Sequence, residues 1–369
     1  MPGTFFGLEI ARRGVNVHRA TLNITGHNIA NANTPGYSRQ QAVIEASTPW
    51  TLPDLATKMQ PGQLGTGVLS EQVRRIRDYH LDLQYREAGS NMGYWQKKLD
   101  VAQQIETLFP EPDGPGIQAT LLEFFNNWHD LNNDPQDPGV KAAVAEAGDE
   151  LAATIRHTYE QLAGIGENIS VALSEQVEQV NDLLARIADV SNAIILTIRN
   201  DAQPNDLLDK RDNLLDELAS LAHIDVQAKD NGMITVYFMD GAATVLKDDG
   251  TGKVVASKLD LAADAGGLNE NHLLIDYDDD GVADAEINLT AIADYYSGAP
   301  PGSAKGAILG NESARLENKT LLEQLDHLAK AIIDNVNDRS GLSGLSGLPD
   351  LPDDLAFFTG AGAADMALP

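Results

Sequence analysis

The chain has 369 residues, no cysteine, 5% aromatic residues and a formal net charge of −29. That length allows two or three domains, and the missing cysteines exclude disulfides, thiolate nucleophiles and Cys-ligated metal centres. Residues 1–100 carry 11 basic and 8 acidic side chains, whereas the remaining 269 carry 15 and 47; such a surface excludes nucleic acid as the expected partner, because phosphate contacts need positive charge. The acidity suits solubility through self-repulsion, with a specific cationic partner as the other reading. Met1 to Phe6 has no basic n-region or continuous apolar h-region, so no cleaved secretory signal is expected. No run approaches the 18 or so apolar residues of a membrane span, so membrane insertion is not expected.

In chain order, residues 4–32 read as one helix. Leu8, Val15, Leu22 and Ile29 recur every seven residues, with Ala11, His18 and Thr25 on the same stripe. A second apolar row, Ile10, Val17 and Ile24, lies on another face. A helix that is apolar on two faces calls for a partner helix or for neighbouring copies of itself. Asn28, Asn31 and Asn33 tolerate the left-handed conformation that ends helices. Pro35-Gly36 fits the centre of a type II turn, with Tyr37 following.

From Gln41 to about Thr66 the pattern breaks into short extended pieces with Pro49, Pro53 and Pro61. Gly62 to Gly67 lacks the order and context of a nucleotide loop and reads as a turn. Helical character is expected again from Glu71, through Val73, Ile76, Trp95, Leu99 and Leu108, until Pro110, Pro112 and Pro115. Gly116 to Asn132 forms another helix, whose broad face of Ile117, Leu121, Phe124, Phe125, Trp128 and Leu131 reads as core.

Val140 to Ile198 is the longest periodic stretch. Leu162, Ile165, Ile169, Leu173, Val180, Leu183, Ile187 and Ile194 follow in steps of three, four or seven; roughly 60 helical residues would reach about 90 Å. Pro204 opens a shorter helix to Leu221. At Ile224 the period changes to two, and Met233–Met239 is a convincing strand. Further strands are expected at Thr244–Leu246, Lys253–Ser257, His272–Asp276 and Ala285–Leu289, and a loop from Gly298 to Gly306. Helix returns from Ala307 to about Asp338. Gly341 to Pro349 is a three-residue repeat read as a flexible loop.

The expected fold class is mainly α: an elongated multi-domain protein with a long helical bundle or coiled coil and a small inserted β-rich domain. The expected division is an N-terminal helix and turn (1–40), the first part of a helical bundle (41–222), a β-rich insert (223–305) and a return to the bundle (306–369). No helix in the rest of the sequence stands out as a partner for the first one, so the chain is expected to be shorter than its natural parent.

Asn28 to Gln40 (N-I-A-N-A-N-T-P-G-Y-S-R-Q) resembles the N-terminal signature of bacterial flagellar axial proteins, the rod, hook and hook-associated subunits. Three further blocks narrow the resemblance to the hook-associated protein 1 family of the hook–filament junction. They are Gly65-Thr66-Gly67-Val68 with Val73-Arg74-Arg75-Ile76-Arg77-Asp78, the leucine-rich Leu207 to Leu218, and Phe357-Phe358-Thr359-Gly360 with Ala363-Ala364-Asp365. The resemblance implies a helical inner domain made from both chain ends, a helical middle domain and a β-rich outer domain. It implies a secreted structural subunit, exported by the flagellar type III apparatus and held by a chaperone at its natural C-terminus. Its partners would be other copies in a ring, hook protein on one side, and the second junction protein or flagellin on the other. Leu8, Val15, Leu22 and Ile29 are the expected packing residues, with Asn28, Asn31, Asn33, Pro35, Gly36 and Tyr37 as the signature turn.

Enzyme chemistry is not expected. The eight histidines (His18, His27, His80, His129, His157, His223, His272 and His327) show no ligand-type spacing, and no nucleophile or phosphate-loop motif occurs. No cofactor is implied. One local signal stands apart: Asp276, Asp278, Asp280 and Asp284 fall at positions 1, 3, 5 and 9 of an EF-hand-like loop with Gly281 at position 6. Position 12 is Ile287, Glu286 comes one residue early, and strands flank the loop, so an acidic β-turn and a calcium site are both open readings. The alternatives are a hook or rod subunit, and, from another class, a calcium-dependent surface adhesin or binding module.

Overall fold

The computed structural model describes residues 5–50, 65–110, 116–239, 241–263, 270–297, 306–337 and 357–368. The expected features at Pro53, Pro61, Gly62, Pro112 and Pro115, most of the Gly298–Gly306 loop and the Gly341–Pro349 repeat lie outside those residues. Among the described residues the fold is mainly α, with seven helices and three small sheets. No described helix is long and apolar enough to cross a membrane.

The chain folds into two compact units, whose boundaries run across the expected divisions at 40, 222 and 305. One comprises residues 1–89, 180–258 and 275–285; the other comprises 90–179, 259–274 and 286–369. The expected β insert is therefore shared between them.

In the first unit, helix α1 (Phe6–Ala30) leads through a turn into strand β1 (Gln40–Ala46), which pairs antiparallel with β2 (Val68–Arg75). The stretch from Glu71 to Arg75, expected to be helical, is strand, and helix α2 (Tyr79–Glu106) begins only at Tyr79. Pairing with β1 decides the difference: Val73 stands opposite Ala42 and Arg75 opposite Gln40, and ladder hydrogen bonds outweigh a weak local helical pattern. The hairpin also packs against α1, so the first helix has a partner that its own periodicity did not reveal.

Helix α4 (Pro138–Arg199) is 62 residues long, about 93 Å at 1.5 Å per residue; its residues 180–199 belong to this unit. Pro204 caps helix α5 (Asn205–Leu221). The meander β3 (Ile224–Ala228), β4 (Ile234–Phe238), β5 (Ala243–Asp248) and β6 (Val254–Ala256) follows in sequential antiparallel order. Ile234, Val236 and Phe238 are buried while Thr235 and Tyr237 are half-buried, the alternation of a strand with one face on a core. Gly232, at φ +86°, makes the β3–β4 turn hard against Ile194 and Ile198 of α4.

The second unit is centred on an apolar core contributed by α3 (Ile117–Asn133), the first part of α4, α7 (Ala307–Asn337) and residues 357–368. Phe124, Leu151, Ile155, Leu162, Ala329, Phe358 and Met366 are fully enclosed there. The expected broad core face of α3 is only partly core, because Phe125 is exposed. Strand β7 (Lys258–Ala263), β8 (Asn271–Asp276) and β9 (Ala285–Asn288) form a three-stranded sheet in that order, and helix α6 (Leu289–Ser297) follows. Neither β7 nor α6 is evident in the sequence periodicity. A fully buried Glu312 holds this region, accepting from Asn271 Nδ2 at 2.6 Å and bonding Thr290 and Arg315.

Candidate functional site

The two apolar rows of α1 have different fates. Val17 is buried, Ile10 and Ile24 are half-buried, and this row faces the hairpin; Ile10 also lies 3.5 Å from where a side chain on Gly67 would begin. Leu8, Val15, Leu22 and Ile29 are 68%, 66%, 71% and 72% exposed, and His18 on the same stripe is exposed. Four large apolar side chains at heptad spacing thus line the open side of a 25-residue helix.

The Asn-rich signature works through side chains and not through left-handed backbone. None of Asn28, Asn31 and Asn33 has a positive φ. Asn28 sits in the last turn of α1 and acts as a bracket: its Nδ2 donates to the Gln40 carbonyl at 2.8 Å, and its Oδ1 accepts from Gln40 N–H at 2.9 Å and Tyr37 O–H at 2.8 Å. His27 Nδ1 meets the same Tyr37 hydroxyl at 2.9 Å. Asn31 Nδ2 donates to the His27 carbonyl, closing the helix end. Gly36 has φ +74°, and Tyr37 N–H donates to the Thr34 carbonyl across Pro35-Gly36; the left-handed position suits glycine. The signature therefore fixes the angle at which α1 leaves the hairpin.

The hairpin and turn are seated on α5. Ser38 N–H donates to Asp209 Oδ2 at 3.0 Å, Gln40 Nε2 to Asp206 at 2.9 Å, and Asn205 Nδ2 to the Val73 carbonyl at 2.8 Å. Arg75 Nη1 lies 2.7 Å from both Asp209 and Asp212, Arg77 Nε 2.6 Å from Asp82, and Arg86 Nε 2.7 Å from Asp216. Asp209, Asp212 and Asp216 follow at steps of three and four, which places them on one helical face. Burial pushes the Asp216 carboxyl above the usual carboxylate range, with Arg86 and Arg77 opposing. Burial likewise lowers the Arg211 guanidinium, with Arg75 and Arg86 nearby; Arg211 donates to the Gly232 carbonyl. The arginine block and the aspartate block each stand out in the sequence, but no local pattern joins them, because more than a hundred residues separate them. The D-x-x-D-x-x-x-D spacing on α5 was the available signal.

The aspartate loop brings Asp276, Asp278 and Asp284 together. Their carboxylates already serve the turn: Asp276 accepts from the N–H groups of Asp278, Asp279 and Gly281, Asp284 from Tyr277 N–H, and Asp280 from Val282 N–H. Repulsion from Asp280 raises the Asp278 carboxyl, with burial and Asp284 adding to it. Ile287 is buried and Glu286 pairs with His272 at 2.5 Å, so the bidentate carboxylate of an EF-hand loop has no counterpart here. In the second unit, an open apolar groove of about 640 Å³ runs between α3 and α7, lined by Phe125, Trp128, Leu328 and Ile332 among others.

Residues 102–344 match the helical domain of flagellar hook-associated protein FlgK, and residues 8–37 match flagellar basal body rod proteins. Flagellar hook-associated protein 1 of Bacillus subtilis is 31% identical over 310 residues, 84% of this chain and 60% of that protein. The protein of the same name from Salmonella typhimurium is 26% identical over 237 residues, 64% of this chain and 41% of that protein. The chain thus spans between two fifths and three fifths of the length of these relatives. The solved flagellar hook junction protein FlgK from Burkholderia pseudomallei shares the fold, with a TM-score of 0.56 at 20% identity over 69% of this chain and 43% of that one.

Proposed function

The chain belongs to the flagellar hook-associated protein FlgK family, and from that premise we propose that it is a structural subunit of the hook–filament junction. The observation that carries the proposal is the exposed heptad stripe of Leu8, Val15, Leu22 and Ile29. An exposed apolar seam of that length is unfavourable in water and favours helix-to-helix packing. In this reading the stripes pack copies side by side into a ring. The Asn28–Tyr37 bracket holds each helix at the required angle. Hook protein meets the ring on one side, and the second junction protein or flagellin on the other. The protein acts outside the cell, reaches its site through the flagellar type III apparatus, and is held by an export chaperone beforehand. It carries out no catalytic step.

A hook or rod subunit would share the N-terminal match over residues 8–37, whereas the helical domain over 102–344 favours the hook-associated reading. A calcium-dependent adhesin would leave both the long α4 and the N-terminal bracket without a role. Electron microscopy of cells lacking the gene tests the proposal. Hooks without filaments, with flagellin shed into the medium, are expected. Missing hooks would move the protein to the rod or hook, and normal flagella would overturn the reading.

A further inference from the structure

Helix α5 has two unlike faces. Leu214, Leu215 and Leu218 are buried on one. The face that meets the N-terminal block offers Asn205, Asp209 and Asp212 to Val73, Ser38 and Arg75. We propose that this contact is a latch: α1, the turn after it and the β1–β2 hairpin (described residues 5–50 and 65–75) undock from α5 as a body, without unfolding either side.

Three observations carry the proposal. The block holds itself together, since the inner row of α1 packs on the hairpin and Asn28 bonds to Gln40 in both directions. The pivot is in place: Ile76–Asp78 joins β2 to α2, and Arg77 pairs with Asp82 of α2 at 2.6 Å, closer than Asp212 and Asp216 of α5 at 3.6 and 3.7 Å. The charges left behind remain compensated, because Arg86 of α2 reaches Asp212 at 3.5 Å and Asp216 at 2.7 Å. On undocking, Arg75 and Asp209 return to water, and the recovered hydration offsets much of the lost attraction. An apolar joint has no such compensation, since its separation cost grows with the area exposed. The bistable element is thus the seat of the hairpin on α5, and its existence does not depend on the flagellar assignment.

Hydrogen exchange of the full 369-residue chain tests the latch. In Arg75→Gln and Asp212→Asn, the Ser38 amide, whose N–H donates to Asp209, should exchange at least tenfold faster than in the unsubstituted chain, while the ladder amides of Gln40–Ala46 and Val68–Arg75 keep their protection. Those of β3–β5 and of residues 180–199 in α4 should be unchanged. An equal acceleration in the β1–β2 ladder or in β3–β5, or none at Ser38, would overturn the proposal. If the variants fail to fold, the unsubstituted chain in sub-denaturing guanidinium provides the same decision. The Ser38 amide should open at lower denaturant than both the β1–β2 ladder and β3–β5, and a single shared opening would refute the latch.

Discussion

The two chain segments nearest the ends dock by opposite physics. Residues 357–368 are held chiefly by apolar burial, with Phe358, Ala363 and Met366 enclosed and Phe357 and Phe358 ringing Phe124 at centroid distances of 5.7 and 5.6 Å, and by hydrogen bonds to Asn337 and Asp326. Residues 5–75 meet α5 through ion pairs and hydrogen bonds, with Arg75 as the central cation. Apolar docking makes the late segment part of its unit's core, so the two should lose structure together. Ionic docking fixes direction while leaving the early block able to separate. The block that carries the proposed assembly stripe is the one held by charge.

The sharpest break of this contrast is functional. Val15→Asp puts a charge in the exposed stripe and should abolish filament attachment, while stability shifts by no more than about 0.5 kcal/mol, as at other exposed positions. Normal filaments in that variant would remove the stripe from the mechanism. Phe358→Ala should cost about 3–5 kcal/mol, read as a lower guanidinium midpoint by circular dichroism, with exchange protection lost across α3, α7 and the adjoining part of α4. Protection lost only at residues 357–368 would mean that the apolar segment is also a separable one.

Smaller effects sharpen the comparison within the first unit. Gly36→Ala forces a side chain into the left-handed region and onto Asn213 of α5, and should cost about 1–3 kcal/mol, confined to the block and its seat on α5. A loss spread over β3–β5 would contradict that confinement. Asp216 makes a pH prediction whose sign follows from its raised carboxyl. The folded chain holds this proton where the unfolded chain has released it, so its contribution to stability grows as pH falls through the raised pKa and fades above it. Asp216→Asn removes that contribution, so the unsubstituted chain should gain stability relative to the variant as pH falls through the raised carboxyl toward the ordinary aspartate range. A difference that does not change with pH would show that the carboxyl is not raised. Last, millimolar calcium should move the melting temperature by less than about 1 °C, because only a ligand bound well to the folded state stabilises it. A shift of several degrees would establish the aspartate loop as a cation site.

Much of the helical architecture was legible in the residues. The α4 row from Leu162 to Ile194 and the period-two run at Ile234–Phe238 declare their partners' side by spacing alone, because burial of one face imposes that spacing. The strand at Glu71–Arg75 was not legible, since its apolar positions, Val73 and Ile76, fit a helix as well as a strand. The acidic turn was readable as a cluster, but the use of its carboxylates by backbone N–H groups was not.

By itself, then, the sequence determined the long helical segments, that α1 is apolar on two faces, and which family the wording resembles, because local periodicity and motif carry that information. Only the tertiary structure decided which face of α1 is covered, how Asn28 brackets Gln40, and that Arg75 meets Asp209 and Asp212. Those outcomes depend on residues from 12 to 137 positions apart, whose pairing follows from how the chain closes on itself and from no periodic pattern.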